Sequence, residues 1–160
     1  MEKISITASF TVFSSAEELP ENIKNLMRQA VVARANAYAP YSRFRVGVAL
    51  ELDNGVIVQG NNQENAAYPS GLCAERVAVF HAGAVYPGAT IVRMAISAAS
   101  DDKVVDSPIP PCGSCRQAIA EYELKQEHPI EIYFMGQEGN VLKADSLKSL
   151  LPLVFDRNFL

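Results

Sequence analysis

Cys73, Cys112 and Cys115 are the only thiols in this 160-residue chain, and the last two are spaced C-x-x-C. Three thiolates can hold a zinc ion in three of its four tetrahedral positions and leave the last open to water, the arrangement of a catalytic site. Glu75 stands two residues after Cys73, so a carboxylate comes close to the metal without having to ligate it. Zinc lowers the pKa of a bound water from about 15.7 to about 7, and a carboxylate beside it can shuttle protons. Other readings of the same residues stay open at this point. Free cysteines are often small buried apolar residues, a C-x-x-C at a helix start also suits a redox dithiol, and Glu75 could be an exposed helical glutamate. Of the two histidines, His81 is too far to close the set, eight residues past Cys73, about 12 Å along a helix, while spacing leaves His128 open. His128 falls between a predicted helix and a predicted strand. Both read as surface or packing residues.

The elements that must position these groups follow from periodicity. Lys3 to Phe13 alternates, with Ile4, Ile6, Ala8, Phe10 and Val12 on one face, and reads as a strand. Ser14 or Ser15 can cap a helical turn bearing Glu17 and Glu18. Glu21 to Tyr38 carries Ile23, Leu26, Met27, Ala30 and Ala33 at helical spacing, and Pro40 ends it. Phe44 to Leu52 and Val56 to Gly60 form a hairpin across Asp53-Asn54-Gly55. Helices are expected from Cys73 to about Gly83 and from Cys112 to about Leu124, so the cysteines stand at two helix starts. There, partial positive charge and free N–H groups favour thiolate. Ile91 to Ala98, Ile130 to Met135 and Val141 to Ala144 read as strands, and Leu147 to Leu151 as a short last helix. Interleaved helices and strands, opened by a hairpin, predict a mixed sheet covered on both faces.

The bulk properties are those of one ordinary globular domain, residues 1–160, with residues 1–20 as an N-terminal extension. Hydrophobic residues make up 49%, and the net charge of −4 with a pI near 5.2 argues against a polynucleotide partner, which demands a basic face. A small neutral substrate suits that balance. No apolar run of membrane-spanning length and no secretory leader pattern is present. Three thiols suit metal better than a disulfide framework, so a reducing cytoplasm is expected.

Four segments occur in order: Tyr38-Ala39-Pro40-Tyr41-Ser42-Arg43-Phe44, Asn62-Gln63-Glu64-Asn65-Ala66-Ala67-Tyr68, Cys73-Ala74-Glu75-Arg76 and Pro111-Cys112-Gly113-Ser114-Cys115-Arg116-Gln117. The last two match the zinc deaminase signature, [HC]-x-E followed by P-C-x-x-C. Together the four resemble the small homotetrameric cytidine deaminases, from about Asn25 to about Phe155. The resemblance implies a three-layer α/β/α sandwich on a mixed five-stranded sheet, here with a possible extra N-terminal strand. It implies one zinc per chain on Cys73, Cys112 and Cys115, and Glu75 as the proton shuttle to ring nitrogen N3 and to the departing ammonia. It further implies that Asn62 and Glu64 bind ribose hydroxyls, that Phe44 packs on the base and that Ala74 lines the substrate site. Tyr68 and Phe155 would reach a neighbouring subunit's pocket. Arg76 would withdraw charge from a thiolate, with Arg116 and Gln117 supporting the site. The expected reaction is hydrolytic deamination of cytidine and 2′-deoxycytidine in pyrimidine salvage. The alternative is a related zinc deaminase acting on another cytosine-containing compound such as blasticidin.

Overall fold

The sheet carries the three helices on two faces because its strands alternate side chains between two apolar clusters. The computed structural model describes residues 1–160. Its elements are β1 (Thr11–Phe13), α1 (Glu21–Ala35), β2 (Phe44–Leu52), β3 (Ile57–Asn61), α2 (Ala74–Val85), β4 (Ile91–Ser100), α3 (Gly113–Gln126), β5 (Glu131–Met135) and β6 (Val141–Ala144). Val48 and Leu50 of β2 meet Ala78 and Val79 of α2 and Ile119 of α3 in the larger cluster. Ala49, Ala95 and Tyr133 turn the other way, where Leu26, Met27 and Ala30 of α1 cover them. Each fully buried Leu or Ile contributes about 1.5–3 kcal/mol. The result is the expected α/β/α sandwich.

The strand order is β1-β6-β5-β4-β2-β3. Only β4 and β5 pair in parallel; the other neighbours are antiparallel. Since β3 and β4 each run opposite to β2, their carboxyl ends lie at the same end of the sheet. The chain leaves β3 toward α2 and leaves β4 toward α3, so both helices begin above that one end, where open α/β sheets place their ligands. Gly60 lets α2 sit close: a Cβ there would lie 2.6 Å from the Ala78 amide nitrogen. No helix is long and apolar enough to cross a membrane.

Four elements depart from the sequence reading. The N-terminal strand is confined to Thr11–Phe13, paired with Val141–Lys143 of β6, whereas alternation predicted it from Lys3. Ladder bonds need a partner edge, and β6 offers only four residues. Ile4 and Ile6 are consequently exposed, as is Val12, while Phe13 packs against the α1 cluster. α2 runs through Gly83 to Val85: the glycine makes room for the Tyr122 ring of α3 and does not end the helix. α1 stops at Ala35, three residues short of Tyr38. The predicted final helix is a single 3-10 turn, Leu147–Ser149. Ser15 caps an earlier such turn, Ala16–Glu18, by accepting the Glu17 N–H.

Glu123 of α3 locks the far side of the sheet. Its carboxylate, 8% exposed, accepts the Ile130 N–H at 2.8 Å, the Leu147 N–H at 3.0 Å and the Ser146 hydroxyl at 2.7 Å. Three donors satisfy a buried charge that has no cation beside it.

Candidate active site

Cys73 is the N-cap residue of α2, and Cys112 that of α3, with Cys115 inside the first turn of α3. Neither side chain makes a capping bond to a backbone N–H of its helix, which leaves both sulfurs available to the cluster. The convergence of the two helix starts brings all three Sγ atoms within 4.8 Å of one another. Cys73 and Cys112 are 3.8 Å apart and Cys112 and Cys115 3.5 Å. A disulfide requires about 2.05 Å, so the three are thiols. Tetrahedral zinc with bonds of about 2.3 Å sets its sulfurs about 3.8 Å apart, and this cluster is already near that size. No histidine or acidic side chain joins the cluster, and both histidines are exposed. The residues therefore fit a zinc ion held by three thiolates.

Electrostatics inside the cluster favour a thiolate at the half-buried Cys73. Hydrogen bonding from Cys115 brings the Cys73 thiol down to about 5 against the cost of burial, helped by Cys112 and Arg76. Cys115, which gives that bond and is buried, is pushed up. Burial works against the Arg76 charge, yet contact with Cys73 and the other sulfurs raises its pKa. Its Nε is buried with no hydrogen-bond partner.

Ala74 and Glu75 follow Cys73 into the first turn of α2 and are both buried, at 0% and 5% exposure. Glu75 is not the exposed glutamate that helix position alone would suggest. Burial raises its pKa, and the Cys73 charge pushes the same way, against its own backbone N–H and the nearby Cys115 and Arg76. A carboxyl whose pKa is raised binds a proton more readily than an exposed one, which suits a group that takes a proton and hands it on.

Beside the cluster lies a cleft of about 510 Å³, within the range of small-molecule sites. Asn62, Glu64 and Tyr68 line it, together with Cys73 and Arg76, so three of the residues expected at substrate share one wall with a metal-site thiol. Their side chains are partly committed. Asn62 donates to the Phe44 carbonyl at 2.9 Å and accepts the Val46 N–H at 2.8 Å, leaving one lone pair on Oδ1. Glu64 accepts the Tyr41 N–H at 2.9 Å, the Ser42 N–H at 3.2 Å and the Ser42 hydroxyl. Burial opposes the Glu64 charge, but these donors outweigh it and lower its pKa. Phe44 is half-buried at the start of β2 and is not part of the cleft wall. Phe155 is also outside it, 60% exposed, with its ring stacked on Phe159 at 5.7 Å. Gln117 donates to the Phe155 carbonyl at 2.8 Å and so ties the C-terminal segment to α3.

The sequence reading assigned no role to Tyr41 and Ser42, although both line the cleft. Tyr41 packs edge-on against Tyr68, ring centroids 6.2 Å apart, and Ser42 accepts the Phe44 N–H at 3.1 Å. Arg43, at φ +54°, turns the chain sharply there. A serine two residues ahead of a strand is a turn signal, but nothing local announces its tie to Glu64, 22 positions on.

A family profile described as the cytidine and deoxycytidylate deaminase zinc-binding region matches residues 20–127. A cytidine deaminase of Halalkalibacterium halodurans is 46% identical over 130 residues, 81% of this chain and 91% of that protein. One from Sporosarcina psychrophila is 35% identical over 136 residues, 85% of this chain and 93% of that one. Among solved structures, a cytidine deaminase from Burkholderia pseudomallei superposes with TM-score 0.71 at 35% identity, covering 86% of this chain and all of that one. A Mycobacterium tuberculosis cytidine deaminase gives 0.65 at 30% identity, covering 86% and 99%. With the profile spanning the thiol cluster, Glu75 and the cleft, the chain belongs to the cytidine and deoxycytidylate deaminase family.

Proposed function

We propose that the chain is a zinc-dependent hydrolase that converts cytidine and 2′-deoxycytidine to uridine and 2′-deoxyuridine with release of ammonia, one zinc per chain. The observation that carries this is the placement of three thiols at zinc-like spacing, with the buried Glu75 two residues past the first. Zinc, when bound by Cys73, Cys112 and Cys115, makes water a nucleophile at neutral pH. The cleft orients the nucleoside: Glu64 and the remaining Asn62 lone pair face the sugar hydroxyls, and Tyr41 and Tyr68 wall the pocket. Phe44 and Ala74 are assigned to the base. As water attacks C4, Glu75 takes one of its protons and delivers it to N3. The second proton passes by the same carboxyl to the exocyclic nitrogen, which leaves as ammonia. Arg76 holds positive charge against the sulfurs, and Gln117 steadies the C-terminal segment. The test is loss of cytidine absorbance on adding enzyme, with deoxycytidine, cytosine, adenosine and blasticidin in parallel. Turnover of blasticidin without cytidine would overturn it.

The reading extends to a single deaminase domain with residues 1–20 as an extension, acting in pyrimidine salvage in the cytoplasm. Three free thiols support a reducing compartment. It also includes a homotetramer with shared sites, supported by Tyr68 and Phe155 standing 77% and 60% exposed beside or beyond an open cleft. Mixed oligomers of a Glu75 variant with a Phe155 variant should regain activity. An active monomer in light scattering would refute the assembly.

A further inference from the structure

We propose that Arg116 is a positioning residue for the metal loop, setting Cys112 at its distance from the other two sulfurs. The inference rests on the zinc reading above. Arg116 follows Cys115 in the first turn of α3, and its two bonds leave that helix in different directions. Its Nε donates to the Pro111 carbonyl and its Nη1 to the Leu150 carbonyl, each at 2.8 Å. Pro111 is the residue immediately before Cys112, so the first bond fixes the peptide from which that ligand departs. Leu150 is buried in the larger core cluster, so the second anchors the guanidinium to a segment packed into the core. No carboxylate pairs with it: neither bond goes to an acid.

The need for such a clamp follows from the loop. Cys112 is exposed, and its side chain makes no capping bond to α3. Pro108, Pro110 and Pro111 ahead of it are three residues that cannot donate a backbone N–H. Pro111 is buried, but its amide has no hydrogen to hold it in place. The carbonyl is its one backbone handle, and Arg116 takes it. The same side chain borders a cavity of about 280 Å³ with Pro110 and Leu150, so slack exists there for the loop to shift once the guanidinium is gone. A planar fork spans two carbonyls on separate segments; a lysine ammonium, a point charge on a flexible stem, does not hold that geometry.

The experiment measures zinc affinity of the full chain by competition with a chromophoric chelator, alongside thermal melting. Variants are Arg116→Gln, Arg116→Lys and, as a stability control, Leu26→Ala in the α1 cluster on the other face of the sheet. Both Arg116 variants should bind zinc about 10–100-fold more weakly, as removal of a group that holds a ligand typically does. Leu26→Ala should melt earlier yet bind zinc like the parent. Parental affinity in Arg116→Gln overturns the proposal, and parental affinity in Arg116→Lys does so too, since charge beside Cys115 would then suffice. Equal zinc loss in Leu26→Ala also overturns it, by making the effect one of general stability. A parent chain that binds no zinc would instead sink the zinc reading itself.

Discussion

Glu75→Gln separates chemistry from stability, because the fold and the reaction place opposite demands on this side chain. The carboxyl is 5% exposed, and burial together with the Cys73 charge raises its pKa. A carboxyl whose folded pKa lies above its unfolded value, about 4.3, contributes fully to stability below that value and loses the contribution as pH rises through the folded pKa. At pH 7 the wild type therefore carries a penalty that a neutral amide of the same shape lacks. The metal-free variant should melt at or above the parent at pH 7, and the advantage should vanish at pH 4. Activity moves the other way. Without a group that takes and returns protons, turnover of the zinc-loaded variant should fall by at least about 10²–10⁴, or about 2.7–5.4 kcal/mol of barrier. Melts in chelator at the two pH values, zinc content, and loss of cytidine absorbance give all three readings. A variant that keeps zinc and turns over within tenfold of the parent refutes the shuttle. One that melts several degrees lower at pH 7 refutes the electrostatic argument.

Glu123→Gln turns three charge-assisted bonds into neutral ones; allowing for relief of a buried charge, the loss is about 2 kcal/mol, read as a fall in melting temperature of about 4–8 °C. Gly60→Ala drives a methyl into the backbone of α2 at Ala78; overpacking costs about 1–3 kcal/mol, and chelator competition should show weaker zinc binding because Cys73 heads that helix. The donors on Glu64 lower its pKa, so its hold on Tyr41 and Ser42 is complete above about pH 4.3 and is lost as pH falls through the lowered value. The Tyr41 and Ser42 amide resonances should then titrate below the ordinary glutamate range, and in Glu64→Gln that titration should be absent.

The cysteines, Glu75 and both helix starts were legible because the chemistry is written locally: ligand spacing, capping positions and apolar periodicity all lie within a few residues of one another. What escaped was non-local. Glu123 looks like any helical glutamate until Ile130 and Leu147 come round to it, and Ser42 like any turn serine until Glu64 arrives. Gly83 was misread for the same reason, since its neighbour is Tyr122 and not the residue after it. The N-terminal strand failed differently. Its alternation is real, but strands exist only where an edge receives them, and the length of β6 is decided elsewhere in the chain. Asn62 and Phe44 show a third case, in which a motif puts residues together but does not say which of their atoms are already spoken for.

The short pairing of β1 with β6 has a practical side. Ile4 to Val12 is a run of β-branched, aromatic and small residues with neither proline nor glycine, and Ile4, Ile6 and Val12 are exposed. Such a segment is a template on which another chain can add a strand, and concentrated solutions give it that opportunity. The sheet beneath has no comparable weakness: β6 is four residues long, and its Lys143 is held by Glu131 at 2.6 Å and Asp145 at 2.8 Å. Trimming the first ten residues thus removes most of this sticky run while leaving Thr11–Phe13 paired on β6, so shelf life in concentrated stocks is governed by a segment outside the family profile.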